Sequence, residues 1–320
     1  MAAKVAVVGR FDPRSASLDR VRFCLTRMLQ EHELLFLSTA AGMPTAVMKT
    51  LDWVLLWRDS LLCEAMPIWR QVYKRRERSG ARIGGLGIAL HEVPPELKRP
   101  IAKLLDVSGF CFVRDAATRA ALNDHERIEV FTDLTWCSPL PDSPAYRETA
   151  DVAVHLRPHL LPGYDPRKWL GQLEGFSALP FPMDLFDRRE RDLLVGHFSE
   201  DVSEDFTPVP LKRSRMALVS SYHAAVFAMQ LGKPLLAIDH DPYVNRLMCD
   251  ARLEDCLLAP ADHDLLPQKI RYVLSERAGV RQRIGDYAER QRKQAARLVA
   301  AVREHLNSNA PQVKPNRKLD

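Results

Sequence analysis

The chain has 320 residues, 46% of them apolar and 27% charged, with 46 Lys and Arg against 41 Asp and Glu for a net charge of +5. This ordinary globular balance excludes fibrous and wholly disordered classes, and no apolar run approaches the roughly 20 residues needed to span a membrane. Basic residues are scattered, without the interleaved aromatics of a single-strand binder, so nucleic acid is not an expected partner.

A domain commonly takes about 100 to 200 residues, so a chain of this length predicts two cores. Met1-Ala-Ala-Lys-Val leads straight into a strand instead of a signal-peptide apolar region, which gives a cytoplasmic expectation. Six cysteines, Cys24, Cys63, Cys111, Cys137, Cys249 and Cys256, lie far apart with no C-x-x-C pair. They read as buried thiols, with neither a disulfide framework nor structural zinc expected.

In chain order, Lys4-Val-Ala-Val-Val-Gly9 is a short buried strand, and Leu18 to Gln30 carries apolar residues at helical spacing. Further strands are predicted at Leu34 to Leu37, Trp53 to Leu56, Ala81 to Gly84, Gly109 to Val113 and Arg127 to Val130. Continuous apolar runs alternating with helical stretches indicate a parallel sheet covered on both faces. The Pro-rich segment Pro139-Leu-Pro-Asp-Ser-Pro144 reads as a linker. A second set of strands follows at Ala150 to Arg157, Phe176 to Phe181, Met216 to Val219 and Pro234 to Ile238, before a helical pattern from Leu265 to about Leu306. The Arg-rich part of that helix, Arg281 to Arg303, reads either as crossing back onto the first domain or as pairing with a partner. The expected fold class is α/β, with two doubly wound Rossmann-like domains facing a cleft. Their bounds are 1–143 and 144–306, with a disordered tail over 307–320.

Ligands of open α/β sheets bind at the carboxyl ends of strands, where a helix N-terminus offers N–H groups and positive potential to an anion. The stretch Leu218 to Ile238 reads as strand end, polar loop, apolar helix, Gly stop and second strand, with His223 at the helix mouth. A phosphorylated substrate is therefore the first expectation. His223 suits general acid or base work, although taken alone it reads better as a satisfied structural histidine. Ser221, with Ser220 and Tyr222, adds hydroxyl groups to the same loop, and equally fits a plain helix cap. Arg114 follows a strand, so anion binding and an interdomain ion pair read alike, while Asp115 reads as a helix cap. Arg157, just before Pro158, aims a cation at the cleft mouth, with a surface arginine nearly as good a reading. Gly84-Gly-Leu-Gly87 permits close approach of backbone or ligand, and His91 and Glu92 follow it. Lys74-Arg-Arg-Glu-Arg78 reads as a solvated face, with peripheral contact to an anionic membrane as the alternative.

Read together, these segments resemble the polysaccharide pyruvyl transferase family over roughly residues 52 to 258. The motifs that carry the resemblance are Val113-Arg114-Asp115, Arg157-Pro158, Pro180-Phe-Pro-Met-Asp184, His223-Ala224, Gly232-Lys-Pro234 and Asp241-Pro242. The resemblance implies a GT-B-like fold and an enzyme that moves a pyruvyl group from phosphoenolpyruvate to a sugar or glycoconjugate precursor as a ketal. It implies His223 as general acid, with Arg114, Arg157, Ser221, Tyr222 and Asp184 around the substrates, and no metal or further cofactor. The pattern also departs from the family. Ser221-Tyr222-His223 stands where many members have Arg-Leu-His, Tyr243 stands where a Lys is common, and Trp57-Arg58-Asp59-Ser60 replaces a Gly-Gly turn. Arg246, Arg58, Arg10 and Arg14 are the cations available to compensate. Two alternatives accompany this expectation: a GT-B-like transferase using another activated donor such as a sugar nucleotide, and a non-catalytic binding protein on the same fold.

Overall fold

The computed structural model describes residues 2–9, 16–38, 45–57, 79–90, 93–137, 140, 146–158, 163–183, 188–198 and 207–308. The chain divides into two compact units. One takes Met1–Asp12, Arg20–Ser138 and Arg292–Asp320, and the other takes Pro13–Asp19 and Pro139–Gln291.

The first unit holds strands β1 (Lys4–Gly9), β2 (Glu33–Ser38), β3 (Trp53–Trp57), β4 (Arg82–Ile88), β5 (Ser108–Val113) and β6 (Ile128–Val130). They form one parallel sheet in the order β2-β1-β3-β4-β5-β6. Helices α1 (Ala16–Met28), α2 (Pro95–Val107) and α3 (Ala116–Ala121) lie in its crossovers. Val5 to Val8 and all of β3 are buried, as an unbroken apolar run in a sheet covered on both faces requires.

The Gly84-Gly85-Leu86-Gly87 stretch lies inside β4, beyond the strand end expected at Gly84. Side chains of the strands on either side, β3 and β5, approach its backbone closely. A Cβ on Gly84 would sit 2.6 Å from Phe110 Cζ and 3.0 Å from Leu55 Cδ2, and one on Gly85 would sit 2.9 Å from Cys111 Sγ. The Phe110 ring cannot yield freely, because Trp53 packs on it at 5.4 Å, Phe112 at 4.6 Å and His305 at 4.9 Å. Gly84→Ala is expected to destabilise the first unit by about 1–3 kcal/mol through overpacking. An unchanged urea midpoint would show that this aromatic cluster rearranges at no cost.

The second unit holds β7 (Ala150–His155), β8 (Ala178–Pro180), β9 (Ser214–Val219), β10 (Leu235–Ile238) and β11 (Leu257–Leu258). These strands too are parallel, in the order β11-β10-β9-β7-β8. Counted from its own first strand the order is 2-1-3-4-5, the same as the first five strands of the other sheet. Both sheets are doubly wound, and in the second the direction of winding reverses between β7 and β9. Its helices are α4 (Pro166–Gly171), α5 (Arg188–His197), α6 (Tyr222–Gln230), α7 (Pro242–Asp250), α8 (Leu266–Ser275) and α9 (Arg277–Asn307). Ala224 to Met229 of α6 are wholly buried, which is why that helix is apolar all round.

The helical run expected from Leu265 is two helices, with Glu276 capping the first through its N–H to Tyr272 O. In the second unit, Arg283 of α9 forks onto Asp255 at 2.7 and 2.9 Å. From Arg292 onward α9 belongs to the first unit, where Arg303 Nε donates to Met28 O at 3.1 Å and His305 lies against Phe110. The tail beyond Ser308 and the expected linker, apart from Leu140, fall outside the described residues.

Cys24, Cys111 and Cys256 are buried as expected, Cys137 is half-buried, and Cys249 departs from the expectation by being exposed. Burial pushes the Cys111 and Cys256 thiols up to about 12. Cys63 lies outside the described residues. Among the described residues no helix is long and apolar enough to cross a membrane.

Candidate functional site

In the second unit His155, the last residue of β7, pairs in register with Val219, the last residue of β9. The segments that follow the two strands therefore emerge side by side at the point where the winding reverses, which is where open α/β sheets bind ligands. Hydrogen bonds lace the two segments together. Ser220 N donates to His155 O at 3.0 Å, Arg157 N donates to Ser220 Oγ at 2.7 Å, and Tyr164 OH donates to Arg157 O at 3.0 Å. Burial raises Tyr164 above the usual phenol range, against an opposing effect of its hydrogen bond to Ser220.

Helix α6 opens at this point. Ser221 has the extended backbone of an N-cap, φ −139° and ψ 150°, yet its side chain makes no capping bond. Its Oγ lies instead 2.8 Å from His155 Nε2, and His155 Nδ1 lies 3.0 Å from Glu190 Oε1 on α5. Glu190 Oε1 also accepts the Met183 N–H at 2.8 Å. The His155 and Glu190 side chains are 2% and 3% exposed, so each must be satisfied by the other.

His223 is half-buried in the first turn of α6, its ring edge-on to Tyr222 at 5.2 Å and 88°. Arg157 is exposed after β7. After β10, His240 stacks on Tyr164 at 4.9 Å and 23°, with Nδ1 3.3 Å from Ile238 O. Burial lowers His240 below the usual imidazole value and the positive charge of Arg157 adds to this, while the Ile238 carbonyl opposes it. The net effect favours the neutral imidazole. Asp241 caps α7 by accepting from Tyr243 N at 2.9 Å, with Pro242 as the first helical residue. Arg246 lies in α7 with its guanidinium over the Tyr243 ring at 5.8 Å.

Of the residues selected from sequence, Arg157, Ser221, Tyr222 and His223 meet at the switch point, and Arg246 lies on the next helix along. Arg114 belongs to the first unit. Its guanidinium is 3.6 Å from both Asp115 and Asp133, with the side chain only 9% exposed. These two ion pairs lie within the first unit, whereas the pair expected from sequence was interdomain. Asp115 also caps α3, accepting from Thr118 N at 2.7 Å. Asp184 and Arg58 lie outside the described residues, as do Arg10, Arg14, Lys74 to Arg78, His91 and Glu92.

Sequence reasoning missed His155, Glu190, Tyr164 and His240. The signal for the first was present: a histidine inside Val152-Ala-Val-His-Leu156 is a buried polar group that needs partners. Nothing local marks Glu190, which reaches His155 across 35 residues of chain. Among the described residues no group of three His, Cys, Asp or Glu side chains is placed to hold a metal ion. A cavity of about 500 Å³ lined by Leu170, Leu173, Glu174, Phe176 and His197 holds none of the residues selected from sequence.

No protein-family model matches the sequence, and no curated protein does. Solved structures do match the fold. A protein assigned as a UDP-N-acetylglucosamine 2-epimerase from Listeria monocytogenes superposes with a TM-score of 0.61 at 12% identity, covering 98% of this chain and 99% of that one. UDP-GlcNAc 2-epimerase from Neisseria meningitidis, solved with UDP-GlcNAc bound, gives 0.57 at 11%, covering 94% and 100%. The glycosyltransferase of kitacinnamycin gives 0.57 at 11%, covering 95% and 99%. The fold is thus GT-B-like, built from two Rossmann-type α/β domains, as expected.

The resemblance to polysaccharide pyruvyl transferases is corrected by these findings, since the fold neighbours are epimerases and glycosyltransferases and no family model matches. Three of the motifs that carried it are punctuation of any parallel α/β unit. Val113-Arg114-Asp115 is a strand end and a helix cap, Asp241-Pro242 is a cap and first helical residue, and Gly232 adopts φ +63° after α6. Such features are demanded by the turns and carry no information about the donor.

Proposed function

We propose that the chain is an enzyme acting on a nucleotide-diphosphate sugar, transferring the sugar to an acceptor, with the diphosphate held at the mouth of α6. The observation that carries this reading is the placement of the α6 N-terminus and Arg157 at the switch point of a buried parallel sheet. A helix mouth and a guanidinium both favour a diphosphate. The choice of nucleotide is supported by two fold neighbours, the Neisseria epimerase solved with UDP-GlcNAc and Staphylococcus aureus MnaA solved with UDP.

As the bond between sugar and diphosphate breaks, negative charge grows on the leaving phosphate. Donors aimed at that charge bind the transition state more tightly than the ground state and so lower the barrier. In this scheme Ser221, Tyr222 and Arg157 bind the diphosphate, Arg246 of α7 adds a further cation, and the His223 imidazole moves a proton at the sugar or acceptor. A second reading, epimerisation of the sugar while it stays on the nucleotide, is supported by the likeness to 2-epimerases over nearly their whole length.

Thermal-shift titration with UDP-GlcNAc and UDP-glucose tests the binding step. A ligand at about 100 times its Kd stabilises the native state by about 2.7 kcal/mol, a rise of several degrees. Arg157→Ala is expected to weaken that binding about tenfold, as loss of one charge-assisted contact should. No shift with any UDP-sugar would overturn the reading. Where binding is found, release of free UDP marks transfer and a new sugar isomer marks epimerisation.

A further inference from the structure

We infer that Glu190, His155 and Ser221 form a buried relay that takes up a proton from solvent when an anion occupies the mouth of α6; the inference rests on the nucleotide-sugar reading above. Ionised Glu190 is an acceptor only, and its Oε1 already takes the Met183 N–H at 2.8 Å. The 3.0 Å contact to His155 Nδ1 therefore assigns a proton to Nδ1. Nε2 is left to face Ser221 Oγ at 2.8 Å. Two proton arrangements fit that contact.

With neutral His155, Nε2 accepts the Ser221 hydroxyl hydrogen, which then points into the core. Only oxygen lone pairs remain for the helix mouth, and these repel an anion. With a proton on Nε2, the imidazolium donates to Ser221 Oγ and the hydroxyl hydrogen turns outward as a donor. A positive charge, partly balanced by Glu190, then stands behind the site. An anion selects the second arrangement, and by reciprocity the proton strengthens anion binding. The Nε2–H bond forms as hydronium or a buffer acid in the solvent gives up its proton, and no other covalent bond of the protein changes. The relay also accounts for an N-cap serine that does not cap: its hydroxyl is engaged by His155. Glu190 and His155 are positioning residues in this scheme.

Other charged and titratable groups surround the relay. Arg157 follows β7 and His240 follows β10, and the charges of Arg157 and His155 both act on His240. Tyr164, just before α4, reaches Ser220 Oγ at 3.4 Å, and the charges of Glu190 and Asp165 both act on its hydroxyl. His223 lies in the first turn of α6. His240 and His223 are the competing sites for proton uptake, so the test must separate them from His155.

The probe is UDP-GlcNAc, whose diphosphate is a diester that does not titrate near neutral pH. Calorimetric titration in buffers of different ionisation heat, between about pH 6 and pH 9, counts protons taken up per ligand bound. The expected result is uptake approaching one proton at its maximum, with affinity falling by up to about tenfold per pH unit as pH rises through that region. Uptake should persist in His240→Gln and His223→Gln and be lost in His155→Gln. Histidine ¹⁵N NMR of the wild-type protein gives the same answer if His155→Gln fails to fold: one imidazole Nε2 should pass from unprotonated to protonated on ligand addition, and its signal should survive in the other two variants. Binding without proton uptake, or uptake that disappears with His240 or His223, overturns the relay and leaves the nucleotide-sugar reading standing. Absence of UDP-GlcNAc binding overturns both.

Discussion

Glu190→Ala is expected to lower the stability of the second unit by about 4 kcal/mol, because it strands two buried donors at once. His155 Nδ1 and the Met183 N–H both bond to Glu190 Oε1, at 3.0 and 2.8 Å, and water has almost no access to the pair. An unsatisfied buried donor costs about 1–3 kcal/mol, and the truncated side chain leaves a void besides. Glu190→Gln retains a carbonyl acceptor in the same place and should cost about half as much. Since the chain has two units, hydrogen exchange at β7 and the first turn of α6 reports the loss more cleanly than a global melt. Protection there reduced by less than about tenfold in Glu190→Ala would show that the carboxylate is not the keystone of this cluster.

Acid is expected to loosen the opposite, amino-terminal end of the same sheet through Glu148. Its Oε1 accepts from Lys233 Nζ at 2.9 Å and Arg281 at 3.1 Å, and also from Arg277. Burial alone would raise this carboxyl, but the hydrogen bonds from Lys233 and Arg277 outweigh it and hold the group down to about 2, against 4.5 for an ordinary glutamate. The folded value lies below the unfolded one. The stabilisation is therefore complete above about pH 4.5 and drains away as pH falls from there towards 2.

At about 1.4 kcal/mol per unit, and discounted for partial exposure, the carboxylate contributes roughly 2–3 kcal/mol at neutral pH. Lys233 moves the other way: burial pulls it down although Glu148 opposes. The desolvation of Lys233 thus offsets part of the gain, and the lower end of that range is the better figure for the pair. Lys233 Nζ also donates to Ser214 O at 2.7 Å and Lys212 O at 3.1 Å, so it keeps partners when the glutamate is removed. Glu148→Gln should lower the urea midpoint at pH 7 and converge on wild type near pH 2.5. A gap between the two proteins that stays constant across that range would assign the effect to packing instead of charge.

Much of the fold was legible because its determinants are local. Val5-Ala-Val-Val8 and Met216-Ala-Leu-Val219 are apolar without alternation, which only a strand covered on both faces tolerates. Asp115, Asp241 and Gly232 mark helix starts and a stop through bonds that span two or three residues. The position of α6 after β9 was equally local, and with it the grouping of Ser221, Tyr222 and His223. The short β11 was not, since Leu257-Leu258 is a strand only by pairing with Ala237 and Ile238. Nor was the setting of Gly84 and Gly85, which answer to Phe110 and Cys111 on a neighbouring strand whose approach no local pattern reveals.

Two doubly wound parallel sheets and the loop at the mouth of α6 can be read from the residues alone, because strand burial, caps and Gly stops are written within a few residues of where they act. That Arg114 sits between Asp115 and Asp133, and that Ser221 turns from its own helix to His155 and Glu190, emerges solely from the folded arrangement. Those choices depend on which buried polar groups meet across strands and helices distant in the chain. Burial enforces the pairing, since each group left alone would cost more than the contact that satisfies it.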